Sequence, residues 1–110
     1  WATWCPPCVA MLPTLHDLHG RWADRGVELL GVNTEGATAS TEELQAFLRE
    51  HPAPYPMVVD DGRVGALYKV TALPHFVLLD RAGRVAKVYW GYTTRGDLER
   101  GFEAALPATP

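Results

Sequence analysis

Two hydrophobic periods alternate along this chain, and that alternation limits its fold more than any other feature. After Cys8, the apolar residues Val9, Met11, Leu12, Leu15, Leu18 and Trp22 recur every three or four positions, which places them on one face of a helix. Gly26 ends that pattern. Val27-Glu28-Leu29-Leu30-Gly31-Val32 follows as a short apolar run bounded by turn residues, the form of a buried strand. A helix that delivers the chain to a buried strand is the second half of a crossover unit, and the first strand of that unit is not among these residues. Pro13 lies inside the helical pattern and is expected to kink it, because proline lacks a backbone donor and crowds the preceding turn.

The alternation continues. Ser40-Thr41-Glu42-Glu43 has the form of a capping box, in which the Ser oxygen and the Glu carboxylate satisfy orphan backbone donors at a helix start. Leu44, Phe47 and Leu48 give that helix one apolar face, and Pro52 stops it. A short strand is expected at Met57-Val58-Val59 and a short helix around Val64, Leu67 and Tyr68. The strand His75-Phe76-Val77-Leu78-Leu79 is then followed by the turn composition Asp80-Arg81-Ala82-Gly83 and a returning strand from Val85 to Trp90. A last helix starts near Thr94, carries Leu98, Phe102, Ala105 and Leu106 on one face, and ends at Pro107. This order argues an α/β fold, a mixed sheet flanked by helices with an antiparallel hairpin at its end.

With 110 residues the chain is expected to form one domain over 1–110. Its 47% hydrophobic and 21% charged residues are a globular balance. A net charge of −3 and the absence of any basic run argue against a nucleic-acid partner. No apolar stretch approaches the roughly 20 residues that cross a bilayer, and no signal-peptide pattern opens the chain. The first residue is Trp1, and a chemically loaded motif begins at once, so the domain is expected to be N-terminally truncated.

That motif is Trp4-Cys5-Pro6-Pro7-Cys8, which holds both cysteines of the chain. Two intervening residues, with the second cysteine entering a helix, let the sulfurs close to a disulfide or open to a dithiol with little backbone motion. The positive end of the helix dipole favours a thiolate at the first cysteine, so Cys5 is the expected nucleophile and Cys8 the resolving thiol. Neither Pro6 nor Pro7 has an N–H, so donation to the Cys5 sulfur must come chiefly from Cys8 and beyond. A zinc site completed by His16 and His19 would need spacings unlike those of zinc fingers, and no metal is expected. Trp90 and Tyr92 are expected to be packing residues of the sheet and its end. Glu35 to Ala39 forms a loop near a strand end that could line the active face, although no residue type there demands it.

Trp1-Ala2-Thr3-Trp4-Cys5-Pro6-Pro7-Cys8, with Pro13 five residues beyond Cys8, resembles thioredoxin-like proteins, and the W-A-x-W-C-x-P-C form resembles their TlpA/ResA branch. The resemblance spans nearly the whole chain, including the insertion at 40–59, the Leu73-Pro74 step and the hairpin at 80–83. It implies a thioredoxin-like fold whose central first strand, the one leading into the motif, is missing from these residues. It also implies catalytic roles for Cys5 and Cys8 and a cis peptide bond at Pro74 against the dithiol. Substrate contacts are then expected from Trp4, from the Leu73 backbone beside Pro74, and from His75.

The activity implied is a thiol-disulfide oxidoreductase acting on protein disulfide or dithiol substrates, with no bound cofactor. The TlpA/ResA branch implies an extracytoplasmic, periplasmic or membrane-tethered location, with roles such as cytochrome c maturation. It further implies recharging by a membrane electron donor and contact with the membrane only through an upstream anchor. Two departures stand out: Met11 occupies a position where many members of the branch carry Glu, and His75 one where Thr is common. An imidazolium at His75 would favour a Cys5 thiolate. The alternatives are a redox-inert peptide-binding module that uses the Leu73-Pro74 edge, and a cytoplasmic thioredoxin.

Overall fold

Cys5 is the N-cap of the first helix, and its backbone is extended at φ −97° and ψ 99°. In this computed structural model, residues 1–107 are described, and the last three residues of the expected domain lie outside them. Helix α1 (Pro6–Trp22) buries Cys8, Met11, Leu12, Leu18 and Trp22, the face that the spacing predicts. Pro13 is exposed and does not break the helix. One 3-10 turn (Ala23–Arg25) follows, and Gly26, at φ +91°, makes the left-handed stop that glycine adopts without steric cost.

Strand β1 (Gly31–Asn33) is shorter than the run 27–32 suggests. Two causes act together. Strand β2 (Met57–Val59) pairs in parallel with β1 from Gly31↔Met57 onward, and the Pro52-Ala53-Pro54-Tyr55-Pro56 link before it is poor in backbone donors. On the other edge, residues 27–30 line a cleft, and no strand among the described residues pairs with them there. Between β1 and β2, helix α2 (Thr41–Glu50) is capped by the Ser40 side chain, which accepts the Glu43 N–H at 3.1 Å. Helix α3 (Arg63–Leu67) is introduced by the Asp60 carboxylate, which accepts from Val64 N–H at 3.0 Å and Gly65 N–H at 2.9 Å.

Strands β3 (His75–Leu79) and β4 (Val85–Trp90) form an antiparallel ladder, His75↔Trp90 to Leu79↔Val85, with an irregularity between Leu78 and Leu79. Helix α4 (Arg95–Ala105) begins at Thr94, whose hydroxyl accepts the Asp97 N–H at 3.2 Å. Met11, Leu18 and Trp22 of α1 meet Tyr89 of β4 and Leu98 and Phe102 of α4 in the main core. Gly101 lets α4 approach the hairpin closely, since a Cβ there would run into the Tyr89 hydroxyl and lie 3.2 Å from Leu78 Cδ2.

The two ladders, β1-β2 and β3-β4, are separate sheets among the described residues. A cleft of about 760 Å³ divides them, and its lining includes Leu12, Leu15, Val27, Val32, Val77 and Phe102. Leu30 and Leu79 on its borders stand 59% and 43% exposed. Trp1 lies on the border of this cleft. Trp1 nitrogen donates to Val32 O at 2.9 Å, and Thr34 N–H donates to Trp1 O at 3.0 Å, one step of a parallel ladder opposite Asn33. Gly31 N–H and Asn33 C=O point toward β2, to Pro56 O and Asp60 N, so Trp1 lies on the other edge of β1.

Unpaired strand edges beside an apolar cleft leave backbone groups without partners, which is costly when buried. We therefore expect residues 1–110 expressed alone to aggregate or to melt without a cooperative transition. A chain extended upstream of Trp1 by an apolar strand should melt cooperatively. Calorimetry on both proteins is the check, and a two-state transition of the 110-residue monomer would contradict this expectation.

Candidate active site

The geometry of the dithiol follows from the two prolines at the first two positions of α1. Neither can donate, so the Cys8 N–H is the first backbone donor of the helix. It points at Cys5 Sγ at 3.3 Å. This is the donation that the sequence leaves to Cys8, and it places one hydrogen bond and the positive end of a 17-residue helix on the same sulfur. No acidic residue lies in the first turn to oppose that field. Cys5 N–H donates to Ala2 O at 3.2 Å and Cys5 O accepts Val9 N–H at 3.1 Å, so the cysteine backbone is held on both sides.

Cys5 and Cys8 form a disulfide with a Cα–Cα distance of 5.2 Å, within the ordinary range for such a bond. Both residues are buried, and with Ala2 they form a small apolar cluster against which Trp1 and Leu73 pack. The Leu73–Pro74 peptide bond is cis, as the resemblance implies, and Pro74 is buried. Pro74 O accepts the Gly91 N–H at 2.8 Å, which extends the β3-β4 ladder beyond His75. Trp4 is 69% exposed immediately before Cys5. The structure thus brings Cys5, Cys8 and Leu73 into one cluster, with Pro74 and His75 next along the chain.

His75 is half-buried, edge-on to Trp90 with ring centroids 6.1 Å apart, and neither ring nitrogen has a hydrogen-bond partner among the described residues. Burial holds its pKa below the usual imidazole value. That direction works against the imidazolium considered from the sequence. Trp90 and Tyr92 are 68% and 61% exposed, in contrast to the packing role expected of them. The pleat explains Trp90: its neighbour Tyr89 turns into the core, so Trp90 turns to solvent.

The residue that sequence reasoning missed is Glu35. Only 7% exposed, its carboxylate accepts Thr3 N–H at 2.5 Å, Thr3 Oγ1–H at 2.8 Å and the Asn33 side-chain amide at 3.0 Å. Burial opposes the charged form, but these three donors outweigh it and hold the carboxyl below its usual range. Its signal in the sequence was faint, a Glu-Gly pair just past a strand. Gly36 is there because a Cβ would lie 2.6 Å from Asp60 O, so the backbone turns sharply toward β2 and leaves the Glu35 side chain facing Thr3. His16 and His19, by contrast, flank Tyr55 with centroids 5.6 and 5.7 Å from its ring, away from the Cys5–Cys8 cluster.

Comparison with known proteins agrees with this geometry. The model of the AhpC/TSA family matches residues 1–88. Thiol-disulfide oxidoreductase ResA of Geobacillus kaustophilus is 33% identical over 108 residues, which are 97% of this chain and 60% of that protein. The chain thus spans about 60% of the length of that curated relative. Among solved structures, StoA from Bacillus subtilis superposes with a TM-score of 0.82 at 25% identity, covering 93% of this chain and 77% of that one. The MTB dsbF structure, in mixed oxidized and reduced forms, gives 0.81 at 27% identity, covering 96% and 75%. The chain belongs to the AhpC/TSA family and has a thioredoxin-like fold.

Proposed function

We propose that this chain is the redox domain of a thiol-disulfide oxidoreductase that reduces disulfides in exported proteins. The observation that carries this reading is the Cys5–Cys8 disulfide at the N-terminus of α1 with the Cys8 N–H on Cys5 Sγ. An inert structural bridge requires neither the helix end nor the donor. The names of the similar proteins, ResA and StoA among them, support the same activity.

In the reduced form Cys5 is the thiolate. It attacks one sulfur of the substrate disulfide, a Cys5–substrate bond forms, and the other substrate sulfur leaves as a thiolate that takes up a proton. Cys8 then loses its proton and attacks Cys5 Sγ. The mixed disulfide breaks, the second substrate thiol is released, and the Cys5–Cys8 disulfide is left behind. Two electrons have passed to the substrate, and a dithiol donor must return them. A membrane-bound donor fits the extracytoplasmic location that we infer from the ResA-like relatives, with any membrane contact through a segment upstream of Trp1. Trp4, Leu73, Pro74 and His75 are the assigned substrate platform: Leu73 packs on the Cys5–Cys8 cluster, Trp4 precedes Cys5, and Pro74 and His75 follow Leu73 in the chain. There the Leu73 backbone can pair with an extended peptide, while Trp4 and Trp90 offer exposed aromatic faces.

Replacing Cys5 by Ser should reduce turnover of a protein disulfide to background. Cys8→Ser should instead accumulate a mixed disulfide with substrate, detected by non-reducing gel and mass spectrometry. A Cys8 that alkylates faster than Cys5 in the reduced protein would contradict the assignment. Burial lowers the His75 pKa from its usual 6.5, which works against an imidazolium beside the sulfurs. His75→Thr should accordingly leave the Cys5 alkylation profile unchanged above about pH 7, with any displacement confined to lower pH. A displaced profile at pH 8 would mean that the imidazole acts on the thiolate after all.

A further inference from the structure

We propose that Glu35 is a positioning residue for Cys5, acting as a side-chain substitute for the backbone carbonyl that the redox loop needs where it leaves the sheet. The proposal rests on the assignment of Cys5 as nucleophile. At the start of the chain Trp1 is bracketed by Val32 O and Thr34 N–H, the pattern of a parallel ladder. The next step of that ladder would carry the Thr3 N–H to the carbonyl of Thr34. It does not occur, because the chain leaves the regular register after Asn33: Asp60 O accepts the Gly36 N–H at 3.1 Å in place of the Glu35 N–H, which donates to the Asn33 side chain instead. Thr3 N–H would be left without an acceptor two residues before Cys5. The Glu35 carboxylate supplies it.

One carboxylate oxygen accepts both Thr3 N–H and the Asn33 side-chain amide, and the other accepts the Thr3 hydroxyl. Asn33 is itself fixed, since it is 2% exposed and its side-chain oxygen accepts the Glu35 N–H at 2.8 Å. A buried carboxylate with three donors is anchored rather than mobile. Its lowered pKa keeps it ionised at neutral pH, so it holds the loop and does not carry protons to the sulfurs. The consequence reaches Cys5 through two short peptide links. With Thr3 held, Ala2 O is in place for Cys5 N–H and Cys5 Sγ is in place for Cys8 N–H. With Thr3 released, the loop samples conformations in which Sγ loses that donor, and the thiolate is less favoured.

The rate of iodoacetamide alkylation of Cys5 against pH, in the reduced protein, tests this. Glu35→Ala should move the profile upward by about half a pH unit or more, the scale on which loss of a hydrogen bond to a charged form is felt. Glu35→Gln should restore it. Its side-chain oxygen can accept Thr3 N–H and the Asn33 amide, and its side-chain nitrogen can donate to the Thr3 hydroxyl. A merely structural carboxylate would change the melting temperature without this rescue of the profile. Thr3→Val removes one of the three donors and should give a smaller shift in the same direction, which keeps the test available if Glu35→Ala does not fold.

The proposal is overturned if Thr3→Val and Glu35→Ala leave the profile in place. It is also overturned if Glu35→Gln fails to restore what Glu35→Ala loses, or if both variants move the profile downward, the direction in which loss of a nearby negative charge acts. Failure of the underlying assignment is distinguishable, because it shows in the unsubstituted protein as a Cys8 more reactive than Cys5.

Discussion

The junction between the start of the chain and β1 is the constraint on which the rest of the site depends. Trp1 lies in register on the edge of β1 that β2 does not use, and Thr3 is tied to Glu35 just beyond the strand's end. From there the chain turns into Cys5 and α1, whose apolar face reaches across to β4 and α4. The dithiol therefore sits where a strand line ends and a helix begins. That position brings a helix N-terminus, a free backbone donor and a cis-proline loop to the same pair of sulfurs. The same line, continued upstream, runs into the cleft between the two sheets.

Redox chemistry at this junction follows from what Pro6 and Pro7 remove as much as from what Cys8 supplies. With two donors absent, the Cys5 sulfur depends on the Cys8 N–H and the helix field, so the placement of Cys5 relative to Cys8 matters more than it would in a motif with free amides. That dependence is why a carboxylate two residues from Cys5 in contact terms, and far from it in sequence, has leverage on the thiolate. Met11 cannot provide a carboxylate on α1, and the Glu35 carboxylate is committed to Thr3 and the Asn33 side chain.

Much of this was legible in the sequence wherever local chemistry decides. The bounds of β3 and β4, the Ser40 and Thr94 caps and the stop at Gly26 each rest on a residue type with one favourable use, and they stand where the residues put them. The dithiol at a helix start was equally plain, because proline at the first helical positions and a cysteine cap leave little choice. What escaped depends on partners distant in the chain. Residues 27–30 have strand composition but no strand partner among the described residues, so composition alone overstated β1. The loop at Glu35 is visible in the sequence but its role is not, because that role exists only once Gly36 turns against Asp60 and Thr3 arrives from the other end of the chain. Trp90 has the composition of a packing residue, yet the pleat that buries Tyr89 exposes it.

Amide hydrogen exchange at Thr3, read residue by residue by NMR in the oxidised protein, tests most directly the claim that the redox loop is pinned to β1. If the loop is held as described, the Thr3 amide should exchange as slowly as those of Thr34 and Asp60, whose hydrogen bonds close the adjacent steps of the sheet. Exchange of Thr3 at the rate of a solvent-exposed loop amide, with Thr34 and Asp60 still protected, would contradict it.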